Sequence, residues 1–172
     1  GNKTLLSVAL KSSSVEIGDV TVTAYNRPQK AFGVAGGLDI ISTQQIREVS
    51  VHSPEPLFNS LPGLFMHNGA KNTNRITIRG IGSRSQYTTT KIKAYLNEIP
   101  LTSGIGETTL EDLDMDLVNR VTVLKGPASS VYGAALGGTI LYNMGVPEDE
   151  GLSVKQQTTA GSYGMLKNSS QI

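Results

Sequence analysis

The chain has no cysteine among its 172 residues. That absence excludes disulfides, thiolate metal sites and a cysteine nucleophile, and leaves the cellular compartment open. Neither sign of charge dominates, with 15 Lys and Arg against 14 Asp and Glu. There is therefore no electrostatic case for nucleic acid or another polyanion as a partner. No stretch approaches the ~18 consecutive apolar residues of a membrane helix, and no positively charged, apolar leader opens the chain. An opening Gly1 without methionine is what a processed or excised fragment is expected to show.

Catalytic and metal-binding patterns are equally sparse. The histidines, His52 and His67, fall on different expected elements and have no acidic or cysteine partner at ligand spacing, which points to structural roles and no metal site. Gly80-Ile81-Gly82 lacks the third glycine of a dinucleotide loop, and no Gly-Lys-Ser/Thr phosphate loop occurs. Ser129 and Ser130 stand outside any Gly-x-Ser-x-Gly elbow. The acidic run Glu111, Asp112, Asp114, Asp116 lacks the glycine and terminal Glu of a calcium loop. Carboxylates there decorate a turn or a helix start, where the dipole favours them. No cofactor and no enzymatic activity are expected.

What the chain does contain is a succession of short elements, long enough in total for one domain with appendages. Leu6, Val8 and Leu10 alternate with polar or small residues as in a strand. Glu16 to Ala24 is rich in β-branched residues and precedes Asn26-Arg27-Pro28. It reads either as an ordinary edge strand or as an extended segment whose free N–H and C=O groups another chain can pair. Leu38 to Ile41 is a short strand, and Ser42-Thr43-Gln44-Gln45 has capping-box spacing for a helix through about Val49. Ser53-Pro54 starts a second short helix carrying Leu57, Phe58 and Leu61, which Pro62-Gly63 ends. Ile76 and Ile78 share one face of a strand over Asn74 to Gly80, and Ile92, Ala94 and Leu96 share one face of another. Polar, glycine-containing loops follow at Ile81 to Thr90 and Thr102 to Thr109, and Leu152 to Ile172 reads as one long polar strand or a hairpin.

The most specific stretch is Asn119 to Asn143. Val121 and Val123 alternate with Arg120 and Thr122, the pattern of a half-buried strand. Gly126-Pro127 stops that strand, because proline cannot donate to a ladder. Ala128 to Tyr132 is long enough for one helical turn closed by Gly133, and Gly137-Gly138 admits close backbone approach before a strand over Thr139 to Asn143.

In order and identity, Val121, Val123, Leu124, Lys125, Gly126, Pro127, Ser129, Tyr132, Gly133, Gly137, Gly138, Ile140 and Asn143 resemble the end of the plug domain of TonB-dependent outer-membrane receptors. Ile76-Thr77-Ile78-Arg79-Gly80 and Leu57, Leu61, Pro62, Gly63 resemble further elements of that family. Two positions depart from it. Thr122 stands where the family usually has Glu, and Glu98 replaces the glycine of an Asp-Gly-Val-Pro turn, where a positive φ would strain glutamate.

The resemblance implies an α+β fold: a small mixed sheet with short helices and long loops, its barrel absent from this chain. Residues 1–18 would end an N-terminal extension similar to a carboxypeptidase regulatory-like domain. Residues 19–26 would be a TonB-box-like segment, 27–147 the plug, and 148–172 the first barrel strand, expected to fray without neighbours. The implied function is gating of energy-coupled uptake of a scarce nutrient such as a siderophore, in the outer membrane. Implied partners are the periplasmic domain of the TonB protein at Asp19, Val20, Thr21, Val22, Thr23 and Ala24, the receptor's own β-barrel, and a small-molecule, oligosaccharide or peptide ligand. Ligand contacts are implied at Ser83, Arg84, Ser85, Gln86, Tyr87, Thr102, Ser103 and Gly104. In a wet barrel lumen, Arg79, Arg120 and Lys125 either pair with carboxylates of the wall or remain solvating charges at strand ends. The alternative in another class is a free-standing β-rich adhesion or carbohydrate-binding module, with Leu152 to Ile172 pairing internally.

Overall fold

The structure is a computed structural model that describes residues 21–24, 27–30, 36–49, 53–69, 74–82, 89–105, 107–108, 113–127, 129–145 and 154–171. The expected strand over Leu6 to Lys11 lies outside those residues.

A five-stranded sheet forms the frame. Its strands are β3 (Gly37–Ile41), β7 (Ile92–Leu96), β8 (Ile99–Pro100), β9 (Val118–Lys125) and β10 (Gly138–Met144), in the order β3-β9-β10-β7-β8. The pair β10–β7 is parallel and the others antiparallel, so the sheet is mixed, as expected. A second sheet joins β4 (Leu64–Asn68), β5 (Asn74–Ile78) and β6 (Ile81–Gly82). Two separate hairpins complete the strands of the described residues: β1 (Thr21–Ala24) with β2 (Arg27–Lys30), and β11 (Lys155–Ala160) with β12 (Leu166–Gln171). The α-helices among the described residues are α1 (Thr43–Val49), α2 (Glu55–Asn59) and α3 (Ser129–Tyr132).

Local chemistry explains the helix ends. Ser42 N–H donates to Gln45 Oε1 at 2.9 Å while Gln45 N–H faces Ser42 Oγ at 3.4 Å, the reciprocal satisfaction of orphan donors that the spacing predicts. In α2, Pro54 occupies the cap and Pro56 falls in the first turn, where a missing N–H costs nothing because no intrahelical acceptor awaits it. Asn59 then stands in for a strand residue. Its amide donates to Met66 O at 2.9 Å and its carbonyl accepts from Met66 N–H at 2.7 Å, tying α2 to β4.

Two faces of the large sheet are covered, and this corrects the half-buried reading of β9. Residues Val121 to Lys125 are all buried. One face carries Ile41, Val121, Val123, Ile140, Tyr142, Ile92 and Ala94 against Ile46, Leu57, Phe58, Met66, Ile76 and Ile78. Phe58 and Tyr142 meet edge to face at 6.4 Å. The opposite face carries Leu124 and Leu141 under Tyr132 and Ala135 from the α3 segment. Thr122, where an acidic residue was the family expectation, is 1% exposed. A threonine fits this doubly covered position, whereas an ionised carboxylate would need a partner.

Other expectations change in detail. The positive φ of the β7–β8 turn falls on Asn97 at 52° rather than on Glu98, and asparagine is among the residues that tolerate the left-handed region. Strand β4 was hidden in the sequence because Phe65 is apolar yet 56% exposed, which blurs the alternation of buried Leu64 and Met66. Residues 155–171 form a hairpin with six cross-strand pairs, which is the hairpin alternative of the sequence reading rather than one long strand.

The Gly-Gly reading holds at atomic level. Gly138 has φ +150°, and a Cβ there would lie 2.4 Å from the Leu124 carbonyl oxygen and 2.9 Å from Ile78 Cδ1. Gly126 has φ +125° but open space around it. Gly138→Ala is therefore expected to cost about 2–5 kcal/mol, combining strain with overpacking. Gly126→Ala should cost about 1–2 kcal/mol from strain alone. Urea unfolding of the two variants checks the order, and equal losses would refute the close-approach account.

Candidate functional site

Loop segments converge at one end of the large sheet. β7 starts at Ile92 beside the start of β10 at Gly138, and the end of β9 at Lys125 lies opposite Gly37 and Gly138. Residues 89–91 lead into β7 at this end, and 101–108 return to it from β8. Thr89 and Thr102 each form a β-bridge with Thr108. Thr108 N–H donates to Thr89 O at 2.9 Å, and the hydroxyls of Thr102 and Thr108 are 2.8 Å apart. Within the turn, Ser103 N–H donates to Glu107 O at 2.8 Å, and Glu107 N–H donates to Ser103 Oγ at 3.3 Å. Gly104 and Ile105 are exposed at its tip. This is a polar platform of hydroxyls and backbone groups, with buried Thr89 and Thr108 beneath it. Thr102, Ser103 and Gly104 thus sit together as expected of one loop, while Ser83, Arg84, Ser85, Gln86 and Tyr87 lie outside the described residues. Thr89, Glu107 and Thr108 were not singled out from sequence, since nothing local marks a bridge between loops distant in the chain.

An internal ion pair underlies the same end. Lys125 is 8% exposed, its ammonium pairs with Asp39 and donates to the Pro62 carbonyl. Asp39 stands opposite Val123 on β3, one diagonal step from Lys125 on the same face. The expectation that Lys125 reaches a carboxylate of an outer wall is corrected: its charge is used inside the fold. The reason is burial, because an ammonium removed from water needs a carboxylate and hydrogen-bond acceptors close by. Asp39 was missed because its short strand otherwise reads as apolar. Arg79 is exposed with φ 51° and donates through Nη1 to Lys125 O at 3.5 Å. Its guanidinium lies over Gly37, where a Cβ would meet Nη2 at 2.3 Å. Arg120 is exposed on β9 toward the opposite end, opposite Asn143.

The opposite end holds a concavity. A cavity of about 320 Å³ lies among Tyr95, Asn97, Glu98, Tyr132, Leu141 and Asn143. Tyr95 and Tyr132 rings are 5.3 Å apart, and Tyr95 Oη donates to Tyr132 O at 3.1 Å. Among the described residues, no cluster of His, Cys, Asp or Glu is arranged to hold a metal ion.

The TonB-box-like segment is paired within the chain. Thr21, Val22, Thr23 and Ala24 form β1 against β2, with Thr21↔Lys30, Val22↔Gln29, Thr23↔Pro28 and Ala24↔Arg27 opposite one another. Of the two readings left open by the sequence, Thr21 to Ala24 thus takes that of a strand paired within the chain rather than that of a solitary extended segment. Asp19 and Val20 lie outside the described residues.

The family model described as the TonB-dependent Receptor Plug Domain matches residues 30–139. The chain belongs to that plug family. The vitamin B12 transporter BtuB of Vibrio vulnificus (strain CMCP6) is 24% identical over 152 residues, covering 80% of this chain and 24% of the relative. The hemin receptor of Yersinia enterocolitica is 27% identical over 125 residues, covering 72% and 17%. This plug chain therefore spans about a quarter or less of the length of those relatives. Among solved structures, the ferric yersiniabactin uptake receptor FyuA from Yersinia pestis aligns with a TM-score of 0.53 at 24% identity, covering 72% of this chain and 18% of that one. The ferripyoverdine receptor of the outer membrane of Pseudomonas aeruginosa aligns with a TM-score of 0.58 at 16% identity, covering 87% and 19%. At those identities the likeness carries the fold alone. The family's homologues are outer-membrane receptors and transporters rather than enzymes.

Removing one member of the Asp39–Lys125 pair is expected to destabilise the plug by about 3 kcal/mol, because an uncompensated charge stays behind. Asp39→Leu combined with Lys125→Met should be less damaging than either single change. Chemical denaturation of the four proteins checks this, and additive losses in the double variant would show that the pair is not coupled.

Proposed function

We propose that the chain is the gating plug of an outer-membrane receptor that imports a scarce nutrient, such as a siderophore, with energy delivered by TonB. The observation that carries this reading is the plug-family match over 30–139 laid on a sheet whose polar loops gather at one end. In this reading, residues 1–18 end an extension, 19–26 face TonB, 27–147 plug the lumen and 148–172 open the barrel wall. The loop end carries the ligand contacts: Ser83, Arg84, Ser85, Gln86 and Tyr87 together with Thr102, Ser103 and Gly104. Arg84 supplies a charge-assisted donor and Tyr87 an aromatic face, suited to an anionic or sugar-like ligand. Arg79 and Arg120 remain cations for the wall.

The register of the β1–β2 hairpin supports one direction of TonB pairing. Two residues separate Ala24 from Arg27, so these two flank the turn as a hydrogen-bonded pair and the next pair outward, Thr23↔Pro28, is non-hydrogen-bonded. At such a pair the backbone groups point away from the partner strand. Pro28 thus has no N–H to offer on the outer edge of β2, while Thr23 and Thr21 offer theirs on the outer edge of β1. Strand addition by TonB is then directed to β1. Ligand bound at the loop end shifts the order of Asp19 to Ala24, and pulling there acts on β3, which follows within the same chain and carries Asp39 of the buried ion pair.

Pull-down with the periplasmic domain of TonB distinguishes the edges. Thr23→Pro should abolish capture while leaving the hairpin's own hydrogen bonds intact. Capture equal to wild type would remove β1 as the docking strand. For the loops, Arg84→Ala with Tyr87→Ala in the full-length receptor should weaken ligand uptake at limiting concentration about tenfold or more, the loss of a charged hydrogen bond and a ring contact. Unchanged uptake would exclude both from the site.

A further inference from the structure

The C-terminal hairpin presents one lysine to two carboxylates of the preceding fold. Lys167 Nζ lies 2.7 Å from Asp116 Oδ2 and 3.6 Å from Asp114 Oδ1. Both acids belong to the 3₁₀ turn Met115–Leu117 and its cap, which lead directly into β9. Asp114 Oδ1 also accepts from Asp116 N–H at 3.1 Å, so the acceptors are held in place by the turn they cap. The hydrogen bond to Asp116, with the charges of both acids, holds the Lys167 pKa above the ordinary lysine value.

The hairpin presents this lysine from a defined face. Thr159↔Lys167 and Gln157↔Ser169 lie on one side, and Ala160↔Leu166, Thr158↔Asn168 and Gln156↔Ser170 on the other. Along β12, Lys167 and Ser169 are half-buried whereas Leu166, Asn168 and Ser170 are exposed. The lysine face is therefore the one turned toward the plug. No large apolar side chain stands among those inner pairs, so hydrophobic packing does not duplicate the ion pair there.

We infer that Lys167 is the clasp that seats the hairpin's inner face on the plug. Its polarity is opposite to that expected from Arg79, Arg120 and Lys125: the cation sits on the hairpin and the carboxylates on the plug. That the hairpin is the first piece of the barrel wall rests on the function proposed above, while the contact between hairpin and plug does not. A partly exposed pair of this kind is screened by salt, which suits a seat that must hold a plug reversibly.

Amide hydrogen exchange on the 172-residue chain tests the clasp. Asp114→Asn combined with Asp116→Asn keeps side chains able to cap the turn and leaves the hairpin sequence untouched. It should speed exchange across 155–160 and 166–171 about two- to fivefold, the range of an exposed ion pair. Lys167→Gln should match it, Lys167→Arg should stay near wild type, and 1 M salt should bring wild type to the level of the neutralised variants. Amides of 118–144 report whether each variant keeps its fold. Hairpin protection in wild type that is insensitive to salt, or unchanged in the Asp114/Asp116 variant, overturns the clasp. Neither readout involves TonB, ligand or a barrel, so the clasp and the transport reading fail separately.

Discussion

A side chain at Gly138 would place its first carbon 2.4 Å from the carbonyl oxygen of Leu124, so the β9–β10 contact exists because that carbon is missing. Everything else in the plug is arranged around the pair. β10 passes on to β7 in parallel and β9 to β3 in antiparallel, which brings the ends of four strands to one edge of the molecule. Both strands are buried on both faces, by α1, α2 and the small sheet on one side and by the α3 segment on the other. The loops that close the edge inherit their positions from this arrangement. Thr89, Thr102 and Thr108 can bridge because β7 and β8 deliver their loops to neighbouring points.

Charge is used sparingly and for specific joints. Without cysteine the chain has no covalent cross-link, and its balanced charges are spent singly. Lys125 is taken inward, where Asp39 and the Pro62 carbonyl compensate its desolvation. Lys167 acts at the surface, where two acids hold it but water competes. The first kind of pair is costly to break and fixes the loop end, and the second is cheap to break and fits a separable joint. Three buried hydroxyls have no hydrogen-bond partner among the described residues, those of Thr89, Thr139 and Tyr142, and burial pushes the pKa of Tyr142 well above the ordinary tyrosine value. The Tyr142 ring packs against Phe58, so packing outweighs the unmade hydrogen bond at this position.

Local signals were legible where the chemistry is itself local. The Ser42–Gln45 capping box, the proline-started α2, the alternation of Ile76 with Ile78 and the glycines at 126, 133, 137 and 138 all express constraints set within a few residues. Strand β4 escaped because Phe65 faces solvent while looking like a core residue. β9 looked half-buried because Thr122 imitates an exposed position, although a neighbouring layer covers it. The turn at Asn97 escaped because the choice of which residue takes the positive φ depends on backbone geometry rather than on the glycine pattern alone.

The candidate site divides along the same line. By itself the amino-acid sequence carried the resemblance to the plug family, which implied the mixed α+β class. It showed directly the turns, the alternating strands and the polar character of the loops, because those rest on glycine, proline and alternation at fixed spacing. Only the tertiary structure decided that Lys125 belongs to Asp39, that Thr89 meets Thr108, and that Lys167 meets Asp114 and Asp116. Each of those pairs joins residues far apart in the chain. Their pairing is set by which strands become neighbours, and strand order follows from the summed packing of the whole sheet rather than from any one segment.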